Sequence, residues 1–405
     1  MSFAKGVARP ALNRREFVRT LAAAGGGGLL APWARAELSS GEGEEYLTRF
    51  PEKTELILRT DRPPQLETPL QYFREDLTPN EAFYVRWHLE GIPTSVNLGT
   101  FRLQVGGHVH RSLSLSLADL RREFPIASVI AVNQCSGNSR SFFEPRVPGG
   151  QWKNGAMGNA RWTGVRLRDL LDRAGVKAGA VEVSFGGLDR GAVSSTPNFV
   201  KALSLDHARS EEVIVAFGMN ESDLPMLNGF PLRLVVPGWY ATYWVKALND
   251  IQVLPETFHG FWMDKAYRIP VSPDGGEAPG RLSPETIPIH RMTLRSLFVR
   301  PEPDERVPNQ HPFEIQGIAF DSGSGIQQVE VSFDAGGTWQ PTRLDPELGR
   351  YSWRRWRFRW IPAAVGRHRL AVRAFNRAGE RQPTSLWNRS GYLRNVIEQT
   401  EVNVV

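Results

Sequence analysis

The chain has 405 residues, too many for one ordinary core, so two or three domains are expected. Hydrophobic residues make up 41% and charged residues 23%, the balance of a folded globular protein. No stretch approaches the roughly 18–20 uninterrupted apolar residues of a membrane span, which excludes a spanning chain. The net charge of +6 is concentrated in residues 1–36, where Lys5, Arg9, Arg14, Arg15, Arg19 and Arg35 face Glu16 alone. The remainder carries 43 basic against 42 acidic side chains, so it has no electrostatic footprint for nucleic acid.

The segment Asn13-Arg14-Arg15-Glu16-Phe17-Val18-Arg19 precedes a weakly apolar run from Leu21 to Leu30, too short to span a bilayer. Four consecutive glycines, Gly25 to Gly28, argue against an ordinary amphipathic helix there. Ala34-Arg35-Ala36 then supplies the small residues that a signal peptidase reads. Residues 1–36 are therefore expected to be a twin-arginine export signal cleaved after Ala36, and the mature chain to be periplasmic. That route exports folded proteins, often after a cofactor has been inserted, so a bound cofactor is expected as well.

Phe101 to Val105 alternates as a strand and ends at Gly106-Gly107. His108 and His110 beyond it are read as exposed histidines rather than a metal pair, since no third ligand is near. Ala127 to Val132 reads as a buried strand that opens into the polar loop Asn133 to Arg140. This loop carries Cys135, the single cysteine of the chain, so an intramolecular disulfide and a four-cysteine cluster are both excluded. A buried bystander, a nucleophile, an intermolecular bridge and a metal ligand all remain open for it. Arg140, five residues on, could hold an anion or keep a thiolate charged.

Leu167, Leu170, Leu171 and Ala174 fall on one face of a helix that Thr163 caps and Gly175 ends. Val181 to Phe185 reads as a strand. Glu212 to Phe217 pairs with Pro231 to Val236 beyond a turn at Asn220 to Asp223. There is no G-x-G-x-x-G, which argues against a dinucleotide domain. Residues 269–287, rich in Pro and Gly, mark a boundary or a long wrapping loop. Beyond residue 291, Phe313 to Phe320, Val329 to Phe333 and Arg369 to Phe375 read as short strands, and Trp356 to Trp360 alternates aromatic with arginine. This pattern suggests an immunoglobulin-like sandwich whose arginine face is solvated.

Four segments, taken in order, resemble the sulfite oxidase family of mononuclear molybdenum enzymes. They are Phe83-Tyr84-Val85-Arg86-Trp87-His88, Gln134-Cys135-Ser136-Gly137-Asn138-Ser139-Arg140, Gly229 to Gly238 with Lys246 following, and Trp262-Met263-Asp264-Lys265-Ala266-Tyr267. The resemblance implies an α+β architecture: a mixed α/β molybdopterin-binding catalytic domain over residues 37–290, then an all-β immunoglobulin-like domain over residues 291–405. It implies one molybdenum held by one pyranopterin dithiolene and by the Cys135 thiolate, with no haem in this chain. Arg86 and Arg140 would bind substrate oxygens, Tyr267 would hydrogen-bond the substrate or an oxygen ligand and assist proton movement, and His88 would contact the pterin or the pocket wall. Tyr84, His88, Asp189, Asn228, Arg233, Trp244, Val245 and Lys246 would hold the cofactor.

Two departures from the family pattern stand out. Asn228 occupies a position where vertebrate members tend to carry His. In Trp387-Asn388-Arg389-Ser390-Gly391, Ser390 stands where the family places an anion-binding Arg immediately before the Gly. Either Arg389 substitutes or the third cation comes from elsewhere, His88 being one candidate. The implied reaction is oxidation of sulfite to sulfate, with electrons leaving to a separate c-type cytochrome. A sulfane dehydrogenase, a methionine-sulfoxide-reducing relative and a non-enzymatic periplasmic binding module are the alternatives.

Overall fold

The computed structural model describes residues 47–302 and 305–405, so the export-signal reading of residues 1–36 lies outside the described residues. Strands dominate. The α-helices among the described residues are four short ones, Leu117–Glu123, Leu167–Ala174, Leu205–Ala208 and Phe261–Asp264. The expected mixed α/β balance is thereby corrected to a mostly β molecule. Apolar residues here recur at strand spacing far more often than at helical spacing. None of these helices is long and apolar enough to cross a membrane.

Three larger sheets and a two-stranded one, Arg268–Pro270 with Thr286–Pro288, build the first part. A four-stranded antiparallel sheet joins Leu47–Arg49, Glu55–Thr60, Gln65–Glu67 and Val85–Arg86. A five-stranded sheet contains one parallel pair, Leu248–Leu254 beside Leu103–Gly107. In the third sheet, Ile126–Gln134 pairs with Met157–Arg166 over nine residues, and Ile214–Met219 lies beyond. Arg233–Val235 adds to Ile214–Met219 as the expected hairpin partner. Asn220 and Glu221, both at positive φ, make the tight turn back to Ser222–Asp223.

The helix Leu167–Ala174 buries the four side chains its spacing selects, and Gly175 (φ 71°) stops it with its N–H turned back to Leu171 O at 2.9 Å. Thr163 does not cap it. That residue lies inside Met157–Arg166, paired with Ser128 and with Gly218, so long-range ladder pairing overrides its local capping preference.

The C-terminal part consists of two sheets around one core. Arg295–Arg300, Phe313–Phe320, Arg354–Trp360 and Arg343–Leu344 face Arg306–Val307, Glu398–Val404, Gly366–Asn376, Ile326–Ser332 and Gln340–Pro341. Arg295–Arg300 is buried on both faces: Phe298 enters the sandwich core, while Leu297 and Val299 join the large core under the first three sheets. Arg295, which is fully buried, ties the two parts together. Its Nη2 donates to Ser139 Oγ (2.5 Å), Asn154 Oδ1 (2.9 Å) and Glu398 Oε1 (2.8 Å). The arginine face of Arg354–Trp360 is partly exposed and ion-paired, with Arg357 3.2 Å from Asp345.

Candidate active site

Cys135 sits one residue past Ile126–Gln134, with its N–H on Ala156 O at 2.9 Å. The strand runs two residues further than its apolar pattern, because Asn133 and Gln134 still pair with Gly158 and Met157. The loop beyond is stapled at each step. Asn138 N–H donates to Cys135 O (3.0 Å), Asn138 Oδ1 accepts from Ala156 N (2.9 Å), and Ser139, at φ 69°, donates to Lys153 O (2.7 Å).

This stapling aims Arg140. Its guanidinium is nearly buried in a slot walled by glycine backbone: a Cβ on Gly137 would lie 2.7 Å from Nη2, and one on Gly149 would lie 2.6 Å from Nη1. Only glycine leaves that space. Gly150 O accepts from Nη1 at 3.2 Å, Ser390 O accepts from Nε and Nη2, and the Tyr392 ring lies 5.1 Å beneath.

Two clefts meet at the thiol. The inner one is narrow and lined by Tyr84, His88, Ser136, Asn228, Arg233, Thr242 and Lys246. The outer one, about 1300 Å³ and open to solvent, is lined by Arg140, Trp262, Lys265, Arg268, Arg389 and Tyr392. Arg86, Cys135 and Tyr267 line both, so a group reaching through this neck touches all three. Of the residues singled out by sequence, Asp189, Trp244 and Val245 line neither cleft. Trp244 packs in the core behind the inner wall, against Trp162 and the Arg233 guanidinium, and Val245 is buried beside it. Asp189 is buried, and that burial raises its carboxyl pKa while the charge of Lys246 draws it back down.

One hydrogen-bonded network stiffens the inner wall. Tyr84 OH (2.7 Å) and Arg233 Nη2 (3.1 Å) both donate to Asn133 Oδ1. Arg233 Nη1 donates to Asn228 O, and Asn228 Nδ2 donates to Tyr84 O. Lys53 closes the network from outside, donating to Asn228 Oδ1 (2.5 Å), Asn80 O (2.6 Å) and Phe83 O (3.0 Å). Burial lowers the Lys53 pKa to about 7, yet three oxygens in reach satisfy all three N–H of the ammonium form. Sequence reasoning missed Lys53 because a lone lysine in the polar run Pro51-Glu52-Lys53-Thr54 carries no local sign of burial. It also missed Lys201, which is fully buried behind the neck: its Nζ donates to Trp262 O (2.7 Å) and lies 5.6 Å from the centre of the Tyr267 ring.

At the neck, Arg86 Nη2 donates to Tyr267 OH (3.3 Å), Arg86 Nη1 donates to Trp87 O, and His88 Nε2 lies 2.5 Å from the same phenol. Burial drives the Tyr267 pKa well up, so this side chain is a neutral phenol. Burial first, then Arg86, Lys246 and Lys201, push the His88 pKa well below its usual value. We expect the His88 ring to titrate by NMR well below the usual histidine range; a midpoint near 6.5 would contradict this environment. The sign for stability follows: the unfolded chain takes up a proton that the folded ring resists, so His88 lowers stability as pH falls below about 6.5.

Several donors in this wall are unspent. Ser136 Oγ, Arg233 Nε and Thr242 Oγ1 line the inner cleft, and Asn133 Nδ2 lies in the network behind it; all four are buried without a partner. Each such group costs about 1–3 kcal/mol unless a ligand satisfies it. The Arg233 guanidinium beside them suits a polar ligand bearing an anion, as does Lys246, whose pKa burial draws down to about 7 and which an anion would hold protonated. The described residues hold no group of three or more His, Cys, Asp or Glu side chains placed for a metal ion.

Two family models match the chain: the oxidoreductase molybdopterin binding domain over residues 89–262, and the Mo-co oxidoreductase dimerisation domain over residues 286–405. Sulfite oxidase of Gallus gallus is 34% identical over 360 residues, which cover 84% of this chain and 76% of that protein. The chain belongs to the sulfite oxidase family of molybdopterin enzymes. Mitochondrial sulfite oxidase of Homo sapiens is 33% identical over 365 residues, and the match spans 86% of this chain but only 66% of the human protein. The fold also resembles the crystal structure of the sulfane dehydrogenase SoxCD from Paracoccus pantotrophus, with TM-score 0.71 and 24% identity over 93% of this chain and 97% of that one. As a family member the chain is a molybdenum–molybdopterin oxidoreductase, and the inner cleft fits that cofactor. Three of its lining residues carry unspent polar atoms, the Arg233 guanidinium matches an anionic group, and Cys135 offers a soft donor at the neck.

Proposed function

We propose that the chain oxidises sulfite to sulfate, with water supplying the fourth oxygen and two protons and two electrons released. The observation that carries this reading is the neck itself. The lone thiol lies between a ligand-ready inner cleft and an outer cleft that both Arg86 and Arg140 line. Guanidinium groups are permanently charged and forked, which matches a small oxyanion better than any neutral substrate. When bound, the molybdopterin centre would supply the two-electron redox change and the oxygen transfer to sulfur. Cys135 would be its protein ligand, and Ser136, Arg233, Thr242 and Lys246 would hold its polar edge.

The protein's own part is to bind and charge the pocket. Arg86 and Arg140 hold sulfite and stabilise the developing sulfate. Tyr267, fixed by Arg86 and His88, donates to a substrate oxygen. The 2.5 Å contact between its phenol and the neutral His88 Nε2 holds the hydroxyl in place at the neck. Electrons then leave singly to a c-type cytochrome, and the mature protein works in the periplasm, exported folded with its cofactor. The sandwich would be immunoglobulin-like.

Steady-state reduction of cytochrome c by sulfite tests the reading. Sulfite-dependent reduction by molybdenum-replete protein is expected, whereas full molybdenum occupancy without it would overturn sulfite as substrate.

A further inference from the structure

Arg389 lies on the rim of the outer cleft and offers itself as a third cation for the substrate oxyanion. Its bonds point elsewhere. Its backbone N–H and its Nε donate to Glu277 Oε1 at 2.8 and 2.9 Å, and its Nη2 donates to Glu277 Oε2 and to Ser283 O, both at 2.6 Å. Ser283 N–H adds a fourth bond to the carboxylate, at 2.8 Å. The Glu277 side chain is only 3% exposed, so turning Arg389 toward a ligand would leave a buried carboxylate without its cation.

The pair joins two segments that both reach the site. Glu277 belongs to the loop between Arg268–Pro270 and Thr286–Pro288, and Arg389 to the turn at residues 387–391. Further bonds reinforce the join: Glu277 N–H to Trp387 O (2.8 Å), Asn388 Nδ2 to Gly275 O (3.1 Å), and Ser390 Oγ to Arg268 O (2.8 Å). That turn in its own right grips Arg140. Ser390 O accepts from its Nε (3.3 Å) and Nη2 (3.1 Å), and a Cβ on Gly391 would come within 2.8 Å of its Cγ.

We infer that Arg389 is a positioning residue and not an oxyanion ligand: with Glu277 it latches the turn whose Ser390 carbonyl aims the Arg140 guanidinium into the outer cleft. For its kinetic arm the inference rests on sulfite being the substrate. Glu277→Gln separates the two roles, because it weakens the latch while leaving Arg389 free to meet an anion.

The test compares holoenzyme carrying Glu277→Gln, Arg389→Met and both changes, at matched molybdenum content. Positioning predicts that each single variant raises KM for sulfite about tenfold with kcat within about threefold, and that the double variant is no worse than either single, because one shared contact is lost. Backbone amides of residues 387–392 and 137–143 should also exchange faster in all three. A Glu277→Gln protein with an unchanged or lower KM would overturn the inference, and so would unaltered exchange in those segments. Wild-type protein inactive on sulfite would instead overturn the functional reading. The exchange data, which need no substrate, would still decide the latch.

Discussion

Cys135→Ser should lower kcat by more than about a thousandfold while the protein stays folded. The substitution keeps shape and volume, and the bond from the backbone of residue 135 to Ala156 O persists, so the strand end and the stapled loop have no cause to move. What changes is the donor. A soft, polarisable sulfur is exchanged for a hard hydroxyl at the only protein position where a thiolate can meet the cofactor's metal. The unspent donors and cations of the inner cleft are untouched, so pterin should still bind. Turnover, metal content and circular dichroism together check this: activity lost, fold retained. Near-wild-type turnover would remove Cys135 from the mechanism.

Arg86→Met should lower kcat/KM for sulfite by about 10²–10³-fold. Arg86 is the one guanidinium that lines both clefts, and Met preserves most of its volume. Burial works against its charge, but Tyr267, Cys135 and Tyr392 around it hold its pKa above the usual value, so the positive charge is permanent. Its loss removes an oxyanion contact and also strips Tyr267 OH of the donor that fixes it. Arg86→Lys should recover only part of the loss, since an ammonium restores charge without the fork. Equal activity for the Lys and Met variants would show that charge at this position does not matter.

Local pattern reached some of this architecture and missed the rest for identifiable reasons. Phe313–Phe320 alternates through its first half before its buried Gly317 to Phe320 end, and Gly175 closes a helix whose four apolar side chains share one face. The Cys135 loop announced itself as polar residues following an apolar strand. The slot for Arg140 did not, because its walls come from Gly137, Gly149 and Gly391, which only the tertiary fold brings together. Lys53 and Arg295 were equally silent: each is an isolated cation whose acceptors lie far along the chain, Asn228 for one and Ser139 for the other. Thr163 shows the opposite failure, a sound local capping signal overruled by pairing on both sides of its strand. Arg389 looked free in sequence because Glu277, its partner, lies over a hundred residues earlier.

X-ray absorption at the molybdenum edge bears most directly on whether this chain grips its metal through one sulfur. About one molybdenum per chain is expected in the wild type, and the Cys135→Ser spectrum should lack one sulfur scatterer. Superimposable spectra from the two metal-loaded proteins would contradict the account at its root.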